Sequence, residues 1–153
     1  MSRIRLMRPE DIEQVSAIEA DIFSQPWSSQ GFLGALDSEN TLFLVAEEEE
    51  IEGYLGMYLA ADEGEITNVA VRKESRRKHL GEKLLTQAVT AAGERGVRSY
   101  YLEVRKSNEA AIRLYEKFGF AIVGTRRGFY EKPKEDAYVM VYPPEISTIQ
   151  KER

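Results

Sequence analysis

The 153-residue chain contains no cysteine and a single histidine, His79. The absence of cysteine excludes disulfides, thiolate metal sites and a cysteine nucleophile, and it is compatible with the reducing cytoplasm, where we expect the protein to act. A Ser–His–Asp triad would need the one histidine, and the chain has no G-x-S-x-G sequence to support it. No spacing of His, Asp and Glu indicates a metal site. The sequence therefore predicts neither an activated nucleophile nor metal catalysis.

Long apolar runs and an excess of positive charge are also missing. No apolar run is long enough to span a bilayer, and residues 1–11 lack the apolar core of a signal peptide, so we expect no membrane association. The net charge of −5, from 26 acidic and 21 basic residues, argues against direct nucleic-acid binding. We expect residues 1–142 to form a single domain and the polar segment 143–153 to be a flexible tail.

The most informative segment joins a predicted strand to a predicted helix. Ile66–Val71 is apolar and rich in β-branched residues, whereas residues 84–92 carry apolar side chains at helical spacing. Five of the 21 basic residues lie in the turn between them, at Arg72, Lys73, Arg76, Arg77 and Lys78. A basic turn that leads into a helix N-terminus favours an anion such as phosphate. The chain lacks both the P-loop and the Rossmann glycine patterns, so an NTPase or a dinucleotide-binding enzyme is not indicated.

The predicted order of elements is β-α-α-β-β-β-α-β-α-β-β, which is a mixed α/β fold. The strands are predicted at residues 3–7, 41–46, 54–60, 66–71, 99–104, 120–125 and 137–142. The helices are predicted at residues 12–22, after Ser28, at 82–95 and at 109–118. We expect the first four strands to be antiparallel. The crossover helix 82–95 should make Ile66–Val71 and Tyr100–Val104 parallel neighbours, with helices on both faces of the sheet.

Two motifs resemble those of a known family. The run Arg76-Arg77-Lys78-His79-Leu80-Gly81 resembles the acetyl-CoA motif Q/R-x-x-G-x-G/A of the GNAT superfamily of N-acetyltransferases. The segment LEVRKSNEAAIRLYEKFGF, residues 102–120, is similar to the RimI-type branch, which acetylates the N-terminal alanine of a small-subunit ribosomal protein. The Pro26-Trp27-Ser28 loop and residues 126–137 resemble the same branch. One residue departs from the motif, because His79 stands where the family usually has glycine.

The resemblance implies an acetyl-CoA-dependent transferase with a GNAT-like sheet, a protein or peptide N-terminus as its partner, and no metal. It implies Glu103 as the general base and Tyr115 as the proton donor to the departing thiolate. The residues implied to bind acetyl-CoA are Val69, Ala70, Val71, Arg77, Lys78, His79, Leu80, Gly81, Glu82 and Asn108.

The residue types alone leave alternatives open. Glu103 alternates with apolar neighbours in a strand and would equally suit a solvent-facing acid. Tyr115 would suit a core aromatic with a paired hydroxyl, and Asn108 a helix N-cap. Phe23, Trp27 and Tyr130, in predicted loops, suit a groove for a peptide N-terminus, although Trp27 would equally close the end of the core.

The acceptor itself is also open from the residues alone. A small amine or a lysine side chain is an alternative to an N-terminal α-amino group. A coenzyme A-binding module without catalysis is a third possibility, and the combination of Glu103, Asn108 and Tyr115 argues against it.

Overall fold

The computed structural model describes residues 2–145, in which seven strands form one mixed sheet with helices on both faces. The strands are β1 (Arg3–Leu6), β2 (Thr41–Glu47), β3 (Ile51–Ala60), β4 (Glu63–Val71), β5 (Ser99–Arg105), β6 (Ala121–Tyr130) and β7 (Glu135–Tyr142). The helices are α1 (Ile12–Ile22), α2 (Ser29–Leu36), α3 (Leu80–Glu94) and α4 (Glu109–Phe118). This order confirms the predicted one. Of the predicted tail, residues 146–153 lie outside the described residues.

The strands lie in the order β1-β2-β3-β4-β5-β7-β6. The first four are antiparallel and β4 is parallel to β5, as predicted. The paired stretch differs from the predicted neighbours Ile66–Val71 and Tyr100–Val104, because β4 and β5 pair only through Glu63–Glu65 and Ser99–Tyr101. Beyond Glu65, β4 carries an extra residue opposite β3, between the pairs Met57–Ile66 and Gly56–Asn68. Such a bulge bends a strand, and β4 separates from β5 from this point onward.

Local sequence explains the helix ends that border the separated strands. The Ser28 hydroxyl caps α2 by accepting a hydrogen bond from the Gly31 N–H (3.0 Å). The Asn108 side chain caps α4 by accepting from the Ala111 N–H (3.2 Å). Gly119, at a φ of 125°, ends α4 in a conformation that disfavours other residues. These caps fix where α2 and α4 begin beside the sheet.

The prediction of a loop around Tyr130 was wrong. The strand β6 continues from Ala121 to Tyr130, and Arg126 and Tyr130 pair with Ala137 and Glu135 of β7. The register between these two pairs is irregular, and Gly128 lies there with a φ of 62°. A positive φ is accessible to glycine at low cost. The glycine thus allows the strand to continue through a turn-like segment that the sequence suggests is a loop.

Apolar clusters cover the two faces of the sheet. On one face, α3 and α4 pack against the sheet in a cluster that includes Leu84 and Leu85 of α3, Leu102 of β5 and Met140 of β7. On the other face, the buried side chains of α1, α2 and the neighbouring strands form a second cluster, which includes Val15, Phe32, Phe43, Val45 and Tyr54. The sheet is therefore held between two helical layers, and the gap between β4 and β5 lies between them.

Candidate active site

A groove of about 530 Å³ opens where β4 and β5 separate. It is lined by residues from α1, the α1–α2 loop, β4, β5, α4 and the β6–β7 hairpin. Among them are the predicted site residues Phe23, Trp27, Val69, Glu103, Asn108, Tyr115 and Tyr130. These seven predicted residues line one cavity, although Phe23 and Tyr130 are 107 positions apart in the sequence.

Glu103 projects from the middle of β5 into this groove. Its side chain is only 10% exposed, and Arg126 places its Nε 3.6 Å from the Glu103 Oε1. Burial raises the pKa of Glu103 above the ordinary glutamate value, and the negative charge of Glu65 adds to this, whereas Arg126 opposes it. A solvent-facing acid does not fit this placement. A carboxylate with a raised pKa in a groove suits proton transfer.

Tyr115 points from α4 toward the same groove. Its ring packs against Phe120, with the ring centroids 5.8 Å apart, but its hydroxyl has no hydrogen-bond partner among residues 2–145. Burial, and to a smaller extent Tyr130, raise the pKa of Tyr115, so the hydroxyl keeps its proton at neutral pH. The aromatic ring thus belongs to the core, while the hydroxyl is a free proton donor.

The upper half of β4 forms one wall of the groove. Because β4 pairs with β5 only through Glu65, the backbone of Ile66–Val71 has a free edge on that side. A free strand edge can bind an extended amide-bearing ligand through main-chain hydrogen bonds. The side chain of Val69 faces the groove, whereas Ala70 is buried in the cluster under α1 and α2. Ala70 can therefore take part through its backbone alone.

A second cavity, of about 310 Å³, lies at the start of α3. Its walls come from Val71, the basic turn, the first turn of α3 and three residues of α4, Ala110, Leu114 and Lys117. The first backbone bond of the helix runs from the Lys83 N–H to the His79 carbonyl (3.1 Å). The N–H groups of residues 80–82 precede that bond and form the positive end of the helix. The cavity has the geometry of an anion site.

The turn before α3 contains two residues in the left-handed region, Arg77 at a φ of 76° and His79 at a φ of 59°. This conformation explains why glycine suits the position of His79. The His79 side chain is 72% exposed, and its Nδ1 lies 3.8 Å from a Glu82 carboxylate oxygen. The imidazole therefore lies outward, and the backbone conformation of the turn is kept despite the side chain.

Two residues of the motif have structural contacts that the sequence did not indicate. The Lys78 ammonium is paired with buried Glu52 (2.8 Å) rather than facing the cavity at the start of α3. A β-carbon on Gly81 would lie 2.9 Å from a methyl group of Leu114. Gly81 thus allows α3 and α4 to approach each other, a role distinct from the acetyl-CoA binding that the resemblance implies. Both residues remain predicted to bind through their backbone.

The predicted acceptor residues lie at the other end of the groove. Trp27 packs against Phe32 and Phe43, with centroid distances of 5.2 and 6.0 Å, and it also lines the groove. Both predicted roles of Trp27 are therefore compatible with its position. Tyr130 lies under the Arg105 guanidinium (4.4 Å), and burial, with a smaller effect of Glu103, raises its pKa to about 12. Phe23 is at the rim and partly exposed.

Sequence reasoning missed Glu19 and Lys117. Glu19 lies in the groove wall yet belongs to the buried stripe of α1, at the spacing of Ile12, Val15 and Ile22. A charged residue at an apolar position of a helix was the signal that could have identified it. Lys117 reaches the cavity at the start of α3 only because α3 and α4 pack together. No pattern in the sequence indicates that contact.

Within residues 2–145, no group of three or more His, Asp and Glu side chains is arranged to hold a metal ion. In the same range, no helix is long and apolar enough to cross a membrane.

The fold and this groove define an acyltransferase class, and the chain belongs to the acetyltransferase (GNAT) family, whose model matches residues 6–120. A Bacillus subtilis protein named putative [ribosomal protein bS18]-alanine N-acetyltransferase is 40% identical over 139 residues, which cover 90% of this chain and 92% of that protein. The [ribosomal protein bS18]-alanine N-acetyltransferase of Salmonella typhimurium is 31% identical over 94% of this chain and 98% of its own. The crystal structure of the ribosomal-protein-S18-alanine N-acetyltransferase from Escherichia coli superposes with a TM-score of 0.85, at 31% identity and 92% coverage of both chains.

Proposed function

We propose that the protein transfers the acetyl group of acetyl-CoA to the α-amino group of the N-terminal alanine of a small-subunit ribosomal protein. Relatives that are 31–40% identical over most of the chain carry that activity in their names. We further propose that residues 1–142 act as one catalytic domain in the cytoplasm.

In this proposal, acetyl-CoA lies along the free edge of β4. Its pantetheine amides bind the backbone of Ile66–Val71, and its pyrophosphate binds the N–H groups at the start of α3. The basic side chains Arg76 and Lys117 border that cavity and favour phosphate charge. Asn108 caps α4 through its oxygen and leaves its amide group available to the pantetheine arm.

Acetyl transfer is direct, because residues 2–145 contain no activated nucleophile that could form an acyl-enzyme. Glu103 accepts a proton from the acceptor ammonium, directly or through water, which frees the nitrogen lone pair. The nitrogen attacks the thioester carbonyl carbon, the C–N bond forms and the C–S bond breaks. Tyr115 donates its proton to the departing thiolate, which leaves as the coenzyme A thiol. The second proton, which the nitrogen loses after the attack, returns to Tyr115 directly or through water and restores its hydroxyl.

The single observation that carries the proposal is the meeting of Glu103 and the unpaired Tyr115 hydroxyl in one groove, beside a free strand edge. A module that only bound coenzyme A would need no such pair of proton-transfer groups. The pair therefore favours catalysis over binding alone.

The test is mass spectrometry of the products formed with acetyl-CoA and a peptide that begins with alanine and follows the N-terminus of the small-subunit protein. We expect a gain of one acetyl group on the α-amino nitrogen. The controls are the same peptide with a blocked N-terminus and an internal lysine, and free polyamines. Acetylation of only the controls would contradict the proposed acceptor, and no acetylation of any amine would contradict the proposed enzyme activity.

A further inference from the structure

Glu19 is a buried carboxylate that joins α1 to the α1–α2 loop, to β3 and to β4. It lies in the last turns of α1 and is 2% exposed. One of its oxygens accepts a hydrogen bond from the backbone N–H of Trp27 (2.9 Å). The other accepts from the Tyr54 hydroxyl of β3 and from the Asn68 side-chain amide of β4 (3.4 Å). Since all three partners are donors, the carboxylate acts only as an acceptor.

These bonds connect the two walls of the groove. Trp27 belongs to the α1–α2 loop, residues 23–28, which forms the acceptor end. Asn68 belongs to the free edge of β4, and its side-chain oxygen accepts from the Thr67 hydroxyl (2.6 Å), where β4 bulges. Residues 23–26 of the loop are exposed, and the Trp27 ring anchors the loop to Phe32 of α2 and Phe43 of β2 rather than to β4. The Glu19 carboxylate thus connects the loop to the edge of β4 through hydrogen bonds.

We propose that Glu19 is a positioning residue that holds the α1–α2 loop against β4 and so sets the shape of the acceptor end of the groove. This inference rests on the proposed function, because it names what positions the acceptor site of the same enzyme. Glu19 acts through the loop, whereas the β4 backbone remains held by its pairing with β3. Loss of Glu19 should therefore affect binding of the acceptor and not that of acetyl-CoA.

A second role for the same carboxylate would be direct attraction of the acceptor ammonium by its negative charge. The two roles differ in what glutamine can replace. The backbone N–H of Trp27 cannot reverse, whereas the Tyr54 hydroxyl and the Asn68 amide can turn from donors into acceptors. Glutamine at position 19 can therefore keep its oxygen on Trp27 and its NH₂ on the other partners. Methionine fills a similar volume but offers no comparable acceptor.

The experiment compares Glu19→Met and Glu19→Gln in steady-state assays with the alanine peptide and acetyl-CoA. We expect Glu19→Met to raise the KM for the peptide about tenfold, because it leaves the loop untethered, with the KM for acetyl-CoA within about twofold of wild type. Glu19→Gln should recover most of the peptide KM. Equal losses in the two variants would show that charge, not the tether, is required, and would overturn the positioning role.

The matched control is Glu52→Met. Glu52 is equally buried, at 2% exposure, but it is bonded to Lys78 in the turn before α3, at the donor end. We expect its loss to change the KM for acetyl-CoA and to leave that for the peptide near the wild-type value. If both variants raise both KM values alike, the effect is general destabilisation and the inference fails.

A readout independent of catalysis uses Trp27, which is the one tryptophan of the chain. Without substrates, Glu19→Met should shift the tryptophan emission to longer wavelength and make it more accessible to acrylamide, whereas Glu52→Met should do neither. Unchanged fluorescence in Glu19→Met would overturn the tether even if the enzyme used another acceptor. Conversely, a shifted spectrum without peptide acetylation by the wild type would contradict the proposed function alone.

Should Glu19→Met fail to fold, hydrogen exchange of the wild-type backbone amides decides the question. The tether predicts that the Trp27 amide exchanges much more slowly than the amide of Ser24, an exposed residue of the same loop. Exchange of both amides at the same rate would overturn the inference.

Discussion

At the scale of single residues, the site depends on how Glu103 is surrounded. Its carboxylate is nearly buried, has no hydrogen bond from another side chain within residues 2–145, and lies between Glu65, of like charge, and Arg126, of opposite charge. Burial favours the neutral form and Arg126 the charged form. The balance makes Glu103 a stronger base than an ordinary surface glutamate.

Removal of the base should reduce turnover without loss of the cofactor site. We expect Glu103→Gln to lower kcat roughly 10²- to 10⁴-fold, the usual range for general base catalysis. Affinity for acetyl-CoA, measured by calorimetry, should stay near the wild-type value, because the cofactor is proposed to bind β4 and α3. Glu135→Gln, an acid that also lines the groove, is the control and should keep most of the turnover. Wild-type kcat in Glu103→Gln would exclude the base role.

The charges around Glu103 predict that two substitutions shift its pKa in opposite directions. Arg126 lowers the pKa of Glu103, so Arg126→Ala should raise it and move the acid limb of kcat to higher pH. Glu65 raises the same pKa, so Glu65→Gln should move the limb to lower pH. Carboxyl ¹³C NMR titration of Glu103 provides the direct measurement. Shifts of the same sign in both variants would contradict this electrostatic description.

At the scale of elements, the basic turn and the first turn of α3 show which structural features a motif predicts and which it does not. The basic turn and the helix that follows were predictable from charge and apolar spacing. The left-handed backbone of His79 was indicated only through the family's glycine. The contact between Gly81 and Leu114 depends on how α3 packs against α4, which no local pattern encodes.

The left-handed conformation of His79 predicts a gain in stability on substitution by glycine. Relief of the backbone strain, roughly 1–2 kcal/mol, exceeds the roughly 0.5–1 kcal/mol that glycine costs through the flexibility of the unfolded chain. His79→Gly should therefore stabilise the fold by about 0.5–1 kcal/mol in urea unfolding. His79→Ala, which keeps a β-carbon in the same backbone conformation, is the control and should give no gain. A loss of stability in His79→Gly would show that the imidazole contributes more than the strain costs.

At the scale of the whole molecule, the order of elements and their directions followed from the sequence, whereas the opening of the groove did not. Alternating apolar residues and a crossover helix were sufficient to predict that β4 is parallel to β5. The extra residue of β4 opposite β3 cannot be recognised from composition, although β4 and β5 separate close to it. Glu103 and Tyr115 could likewise be named as candidates from the family resemblance, but the cavity that they share and its link to Glu19 required the packed structure.

The N-terminal edge of the sheet shows how one ion-pair network joins separate parts of the fold. The Arg5 guanidinium of β1 binds both oxygens of Asp11 (2.8 Å each), which lies in the turn before α1, and it also binds Glu47 of β2 (3.0 Å). Asp11 accepts in addition the Arg8 N–H (2.8 Å). Burial by itself would raise the pKa of Asp11, but the hydrogen bonds from Arg5 and Arg8 bring it below the ordinary value.

A lowered pKa in the folded state means that ionised Asp11 stabilises the fold, and that this contribution is lost on acidification. We expect Asp11→Asn to lower the free energy of unfolding by about 2 kcal/mol near neutral pH, since it weakens charge-assisted bonds of a buried group. The contribution is complete above the unfolded-state pKa of about 3.9 and disappears as the pH falls through the lower folded-state value. Urea unfolding should therefore show a difference between wild type and variant that shrinks below about pH 4. Glu10→Gln, an exposed acid in the same turn, should change stability by less than about 0.5 kcal/mol. A difference that persisted undiminished in acid would mean that Asp11 stabilises the edge through packing and not through its charge.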